Sequence, residues 1–501
     1  MVFLHNPLVY LTNFILPLFL SFLAVYIVLL PPHKRGVLLG RRYRMPAGPQ
    51  GHPIVGCLLQ WLRVRNGGSL GPWLMEQAQY GEFTTLSMGT KTWVLLNSGR
   101  VVNEIIAKRA SITHERPYFP VAGELVSRNK RVFLQKTEEW RESRRLLHQL
   151  LMGAGSKDHG RVVELASLGL LRSYLNEPKE WYVHNYRYPA AIVYKILTNK
   201  PLDKSRAELE TLQQVTSTFL TSINTSFVEF FPQLNLLPAR LQLWRRHWED
   251  MGTFHYNVFK HWWDGMSSSR NPDAEPSFLR DSILKDYPGT EEQAMYLAIF
   301  AITAEAMKRA RDEVESICGD DARRLPNLGD LPSLPYMSAV VKEVPRWRPT
   351  VPLIPQRVLV EDLEFEGYKF PAGTEFLVNN IAVCHGDYHR PSEFLPERWL
   401  EDGDKEYGGK SAVSVEQDLW QFAFSAGRRS CVGYKLAQKE LFVAFARLIY
   451  CFEISPAGEF SDTKLNAFDP GEPFPVNVTV RSPAHERLIL DEAAKCDIWG
   501  D

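Results

Sequence analysis

Long stretches at helical spacing and one hairpin pattern predict a mainly helical chain with a small strand-bearing part near its N-terminus. The hairpin is read at 82–88 and 91–97, turning at Gly89-Thr90, with a helix over about 100–108 behind it. Helical spacing runs over 138–151, where Trp140 and Arg144 stand at i and i+4 and share a face. It runs again from the capping box Thr290-Glu-Glu-Gln293 to Cys318, closed by Gly319. A third Pro-free and Gly-free stretch covers 434–448.

With 501 residues, 45% apolar residues and a formal net charge of zero, the chain holds enough for a large core and is no polyelectrolyte; nothing points to nucleic acid as a partner. Its six cysteines, Cys57, Cys318, Cys384, Cys431, Cys451 and Cys496, form no Cys-x-x-Cys pairs. Neither a disulfide framework nor a zinc knuckle is indicated, and the bulk of the chain is assigned to a reducing compartment.

Residues 8–30 are apolar except for Thr12, Asn13 and Ser21, with Pro17 tolerated in a helix. At about 1.5 Å per residue this run spans a hydrocarbon core of ~30 Å. Lys34, Arg35, Arg41, Arg42 and Arg44 follow it, and only His5 precedes it, so the positive-inside rule puts the rest in the cytosol. Residues 1–30 are accordingly read as a transmembrane anchor, 31–56 as a basic, Pro/Gly-rich hinge, stiff and extended over 45–56, and 57–501 as the globular domain. Between 226 and 251, leucines and aromatics punctuated by Pro232 and Pro238 read either as exposed apolar surface or as core.

One stretch carries chemistry: Phe422-Ala-Phe-Ser-Ala-Gly-Arg-Arg-Ser-Cys-Val-Gly433. Gly427 lets backbone approach a flat ligand, Arg429 is a fixed cation for a carboxylate of that ligand, and Cys431 precedes a helix whose positive end favours thiolate. Taken singly, Cys431 reads as an ordinary small buried residue, which is what most lone cysteines are. The set Phe424, Gly427, Arg429, Cys431 and Gly433 resembles the haem-binding signature of the cytochrome P-450 family, microsomal type, in which the cysteine is the axial thiolate of haem iron. Ser425 stands where many relatives carry a second glycine, a variation read as tolerated.

The resemblance covers most of the chain and implies the mainly helical cytochrome P-450 fold. It implies that Trp140 and Arg144 clamp a haem propionate, that Arg357, preceded by Gln356 where relatives have His, lies near one, and that Glu343, Arg346 and Arg398 interlock as a structural charge cluster. Pro345, inside the helix that bears this cluster, predicts a weakened clamp. The central distal helix departs from the family: apolar residues up to Ala304 give way at Glu305 to a charged stretch, and on the order of twenty residues, about six turns, are absent. With them go the acid and threonine of the oxygen-activating motif; Thr303 precedes their place and is not assigned the role.

The implied activity is a haem-dependent monooxygenase oxidising an apolar small molecule, most like fungal members of secondary metabolism. Molecular oxygen is its co-substrate, and its electrons come from a separate NADPH-cytochrome reductase, since no Gly-x-Gly-x-x-Gly loop is present. Arg141, Arg145, Arg428 and Lys435 serve either as docking charges for it or as a plain solvated face. The lipid bilayer of the endoplasmic reticulum would hold the anchor. The alternatives are a haem-thiolate isomerase or dehydratase that does not activate oxygen, and a truncated, inactive membrane-anchored haem protein.

Overall fold

The computed structural model describes residues 18, 21, 26–38, 40–67, 70–152, 159–202, 205–267, 310–319, 321–349, 351–386, 388–400, 424–458 and 475–495. Most of 8–30 lies outside them, as do Thr290, Thr303, Ala304 and Glu305. Among the described residues no helix is long and apolar enough to cross a membrane.

After residue 31 come helices α1 (Pro32–Leu38), α2 (Leu58–Gly67) and α3 (Leu70–Ala78), then strands β1 (Phe83–Met88) and β2 (Lys91–Leu96). Helices α4 (Thr137–Met152), α5 (His159–Asn176), α6 (Trp181–Thr198), α7 (Arg206–Ser222), α8 (Arg245–Ser267), α9 (Ala310–Cys318) and α10 (Pro335–Trp347) follow. Strands β3 (Leu353–Val358), β4 (Leu363–Phe365), β5 (Tyr368–Phe370) and β6 (Glu375–Asn379) precede α11 (Asn380–Gly386). The chain closes with α12 (Tyr434–Cys451), β7 (Phe452–Pro456), β8 (Val476–Val480) and α13 (Pro483–Ala494).

Two compact units divide these elements. The first combines Met1–Pro120, Asn224–Gln242 and Pro352–Val383. Its sheet has the order β1-β2-β6-β3, with β1 and β2 forming the hairpin expected from the sequence and β2 pairing β6 in parallel. The helix expected near 100–108 is a short α turn, Gly99–Val102, continued by a π turn, Asn103–Ala107. Pro355 lies where the β3/β6 register shifts, between Ile354 and Arg357; a strand tolerates a residue without an N–H at such a bulge. Trp61, Trp73 and Trp93 fill the core of this unit, with ring centroids 5.8 Å and 5.2 Å from Trp61.

The Pro/Gly-rich stretch read as a hinge is extended, and it is seated on β1. Thr85 N–H donates to Ala47 O at 3.1 Å, and Cys57 N–H to Ser87 O at 2.7 Å. A Cβ on Gly48 would stand 1.9 Å from Thr85 O, so only glycine allows this approach. Residues 32–38, within the same stretch, are helical, and His33 Nδ1 lies 2.8 Å from Thr92 Oγ1 of β2.

The second unit combines Val121–Ile223, Leu243–Val351 and Cys384–Asp501 and is mainly helical. Its core centres on α12, buried without interruption from Phe442 to Cys451 and packed by α5, α9 and α10. Helix α9 ends on Gly319 (φ +81°), whose N–H returns to Glu315 O at 2.8 Å.

If the seat on β1 persists in solution, Gly48→Ala lowers the thermal midpoint, by about 2 kcal/mol of stability. Differential scanning calorimetry of the purified chain checks it, and an unchanged midpoint would mean that the stretch swings free.

Candidate functional site

Within the second unit the loop 424–433 is drawn closed by its own backbone. Cys431 N–H donates to Phe424 O at 2.8 Å and Ser430 N–H to Gly427 O at 3.0 Å, around a 3₁₀ turn at Gly427–Arg429. This shape needs two left-handed residues, Ser425 (φ 62°) and Gly427 (φ 66°). Glycine adopts that conformation freely; serine does so against a Cβ contact that costs roughly 1 kcal/mol. Ser425 is therefore accommodated under backbone strain, the physical reason that glycine suits this position.

Cys431 comes three residues before α12 and is half-buried. Burial is the largest influence on its thiol and pushes the pKa up. The Gly433 backbone N–H and the Arg144 guanidinium pull the other way and are outweighed. The helix dipole read from the sequence does not prevail over desolvation here, so the free thiol favours its protonated form. A Cβ on Gly433 would stand 3.8 Å from Cys431 Sγ and 3.5 Å from Leu151 Cδ1, ordinary contact distances that place this residue directly beside the sulfur.

Two arginines flank the loop, held through α4. Half-buried Trp140 lies beneath both, its ring 4.1 Å from the Arg429 guanidinium carbon and 5.8 Å from that of Arg144. Arg429 is buried and donates to Gln135 O at 2.9 Å and Thr137 Oγ1 at 3.4 Å, while Arg144 donates to Ser430 O. Desolvation lowers the Arg144 pKa, partly offset by Cys431. The structure thus brings Trp140, Arg144, Arg429 and Cys431 together. Gln135, Thr137 and Ser430 went unnoticed in the sequence, since each contributes through a position that no residue-type signal marks. Arg357, buried in β3, belongs to the other unit.

The charge cluster is also brought together. Glu343 accepts from Arg346 at 2.6 and 2.9 Å, from Arg398 Nε at 3.2 Å, from Trp399 Nε1 at 2.9 Å and from Leu395 N–H at 2.9 Å. Glu343 and Arg346 are fully buried, and Arg346 also donates to the carbonyls of Cys384, Pro391 and Glu393. Pro345 does not weaken this clamp. It sits in the last turn of α10, which continues to Trp347, and Arg348 N–H still reaches Val344 O at 2.9 Å. Trp399, which the sequence reading does not assign to the cluster, joins it through its indole N–H, which a phenylalanine in that place would lack.

The residues around Cys431 suit an iron porphyrin: a thiol ligand on an open loop, and two guanidiniums beside it for anionic groups. Arg144 directs one of its five N–H donors to Ser430, leaving others for a carboxylate. A mainly helical protein that presents a lone cysteine in this way, just ahead of a buried helix, has the build of a haem-thiolate protein.

The comparisons with known proteins agree. The cytochrome P450 family profile matches residues 46–294 and 290–468, in two segments that meet near residue 290. Cytochrome P450 monooxygenase yanC of Aspergillus niger is 26% identical across 91% of this chain and 93% of its own length, and monooxygenase fogE of Aspergillus ruber is 27% identical across 91% of each. A solved zebrafish cytochrome P450 structure with abiraterone shares the fold, with TM-score 0.60 and 20% identity over 83% of this chain and 100% of that one. The chain belongs to the cytochrome P450 family, whose cofactor is haem with a cysteine thiolate ligand.

Replacing Ser425 by glycine removes the strained left-handed serine and is expected to raise the thermal midpoint, by about 1 kcal/mol. A lowered midpoint on scanning fluorimetry would show that the serine side chain contributes more than its backbone conformation costs.

Proposed function

We infer that this chain is a haem-thiolate monooxygenase acting on an apolar small molecule. The observation that carries the reading is the Cys431 loop, closed by its own backbone bonds, with Arg144 donating to Ser430 and Arg429 stacked on Trp140. Bound haem supplies the iron at which molecular oxygen is activated: one oxygen atom enters the substrate and the other leaves as water, with two electrons and two protons taken up. The chain's own part is to hold and screen that group. Cys431 would ligate it, Gly433 N–H and Arg144 bear on the sulfur, and Trp140 supports both arginines, which would serve the group's carboxylates. Phe424 and Gly427 set the loop's span. The fungal origin of the similar monooxygenases supports a place in secondary metabolism.

Electrons come from a separate NADPH-cytochrome reductase, for which exposed Arg141, Arg145, Arg428 and Lys435 offer docking charges. Residues 1–30 anchor the chain in the endoplasmic reticulum membrane, 31–56 connect, and 57–501 form a catalytic domain facing the cytosol. Exposed Leu236, Leu237 and Leu241 support an apolar substrate route from lipid.

The break in the family match near residue 290 favours a second reading of the same chain, in which the segment absent after Ala304 removes oxygen activation. What remains would be a haem-thiolate isomerase or dehydratase, or an inactive haem protein. The reduced carbon-monoxide difference spectrum tests this, recorded in membranes for the chain, for Cys431→Ser, and for a version with a family-typical insert after Ala304. A thiolate-type Soret band in the chain and its loss in Cys431→Ser are expected. A band only in the insert-bearing version would mark this chain as an inactive product. Oxygen-dependent consumption of reductant then separates a monooxygenase from an isomerase.

Topology has its own reporter. Asn477-Val478-Thr479 is an N-glycosylation acceptor pattern and Asn477 is exposed on β8. With the domain in the cytosol, microsomal protein keeps its electrophoretic mobility after endoglycosidase treatment; a mobility shift would put the domain in the lumen.

A further inference from the structure

The segment Asn224–Gln242 clusters with the β-rich unit, although the helices before and after it, α7 and α8, lie in the helical unit. Its first residue explains how. Asn224 is buried and left-handed (φ 57°), a conformation that asparagine tolerates better than most residues. Its backbone carbonyl accepts from Trp61 Nε1 at 2.7 Å, and its side-chain Oδ1 accepts from Gln356 Nε2 at 3.0 Å. Both donors are themselves fixed: Trp61 is one of the three packed tryptophans, and Gln356 is fully buried in β3, its own carbonyl accepting from Arg116 at 2.6 Å. Gln356 therefore turns its donor toward Asn224, a use its place before Arg357 did not suggest.

Two further contacts hold the segment. Thr90, at the β1–β2 turn, donates from N–H and Oγ1 to Phe230 O at 3.0 and 2.8 Å, with Phe230 fully buried. At the far end Gln242 Nε2 closes on Asn235 O at 3.1 Å and Leu237 O at 2.7 Å. Phe230 and Phe231 pack into the core of the unit, and from 236 to 241 the side chains turn outward: Leu236 is 87% exposed and Leu241 55%. The base is fixed to the sheet, and the Gln242 bonds hold the exposed part in a loop of its own.

We propose that Asn224 is a positioning residue, the latch by which Trp61 and Gln356 fasten the apolar strap 224–242 to the β-rich unit. Release at Asn224 frees the base of the strap, while Phe230 and Phe231 stay packed in the core of the same unit. Its service to an apolar substrate rests on the function proposed above; the latch itself does not.

Hydrogen exchange with mass spectrometry on the full chain in detergent tests the latch. Asn224→Ala is expected to speed exchange in peptides covering 225–237 about tenfold, leaving β2 and β6 unchanged. Asn224→Gly, which keeps the left-handed backbone but loses Oδ1, is expected to loosen the same peptides, and Asn224→Asp, which keeps an acceptor, to restore protection. Unchanged exchange in Asn224→Gly, or loosening spread equally into β2 and β6, overturns the proposal. A separate arm reads the substrate route: the association rate of the apolar azole clotrimazole with haem-loaded protein, compared between wild type and Leu236→Ser/Leu241→Ser. An unchanged rate sinks the route and leaves the exchange result, and so the latch, standing.

Discussion

A carboxylate with no access to water holds the helical unit together. Glu343 is met by two guanidiniums, an indole N–H and a backbone amide, so its charge and lone pairs are answered within the protein. Burying such ions adds little net stability, but once formed the arrangement tolerates no missing partner: stranding one charge costs roughly 3–5 kcal/mol. Its effect is to fix geometry. Arg346 reaches three carbonyls between residues 384 and 393, and Arg398 and Trp399 bring in the following turn, so an irregular stretch is held to α10 without regular secondary structure.

The cysteine loop works under the opposite constraint, since a ligand has to reach it. Its backbone bonds close it on itself, its arginines are anchored to α4, and the sulfur is left for iron to claim. Burial keeps the free thiol protonated, so binding iron displaces a proton. The strained Ser425 is the cost of so tight a loop.

Much of this was legible beforehand. The hairpin at 82–97 and the helix after Gly433 follow from local periodicity, which reports which face of a segment is buried. Cys431, Arg429 and the trio Glu343, Arg346 and Arg398 were marked by residue type and order. Their partners were harder to see. Gln135 O, Ser430 O and the carbonyls around Arg346 are backbone atoms, which every residue carries, so no residue type advertises them. Pro345 misled because its penalty depends on position: in a last turn the lost bond matters little.

The sequence by itself determined the family, the ligand and the local elements, because these depend on side-chain chemistry at short spacing. Tertiary structure alone decided that the Pro/Gly-rich stretch is seated on β1, that Gln356 serves Asn224, and that the leucine strap belongs with the sheet. Each of those joins segments far apart in sequence, where a hydrogen bond depends on the path of the folded chain.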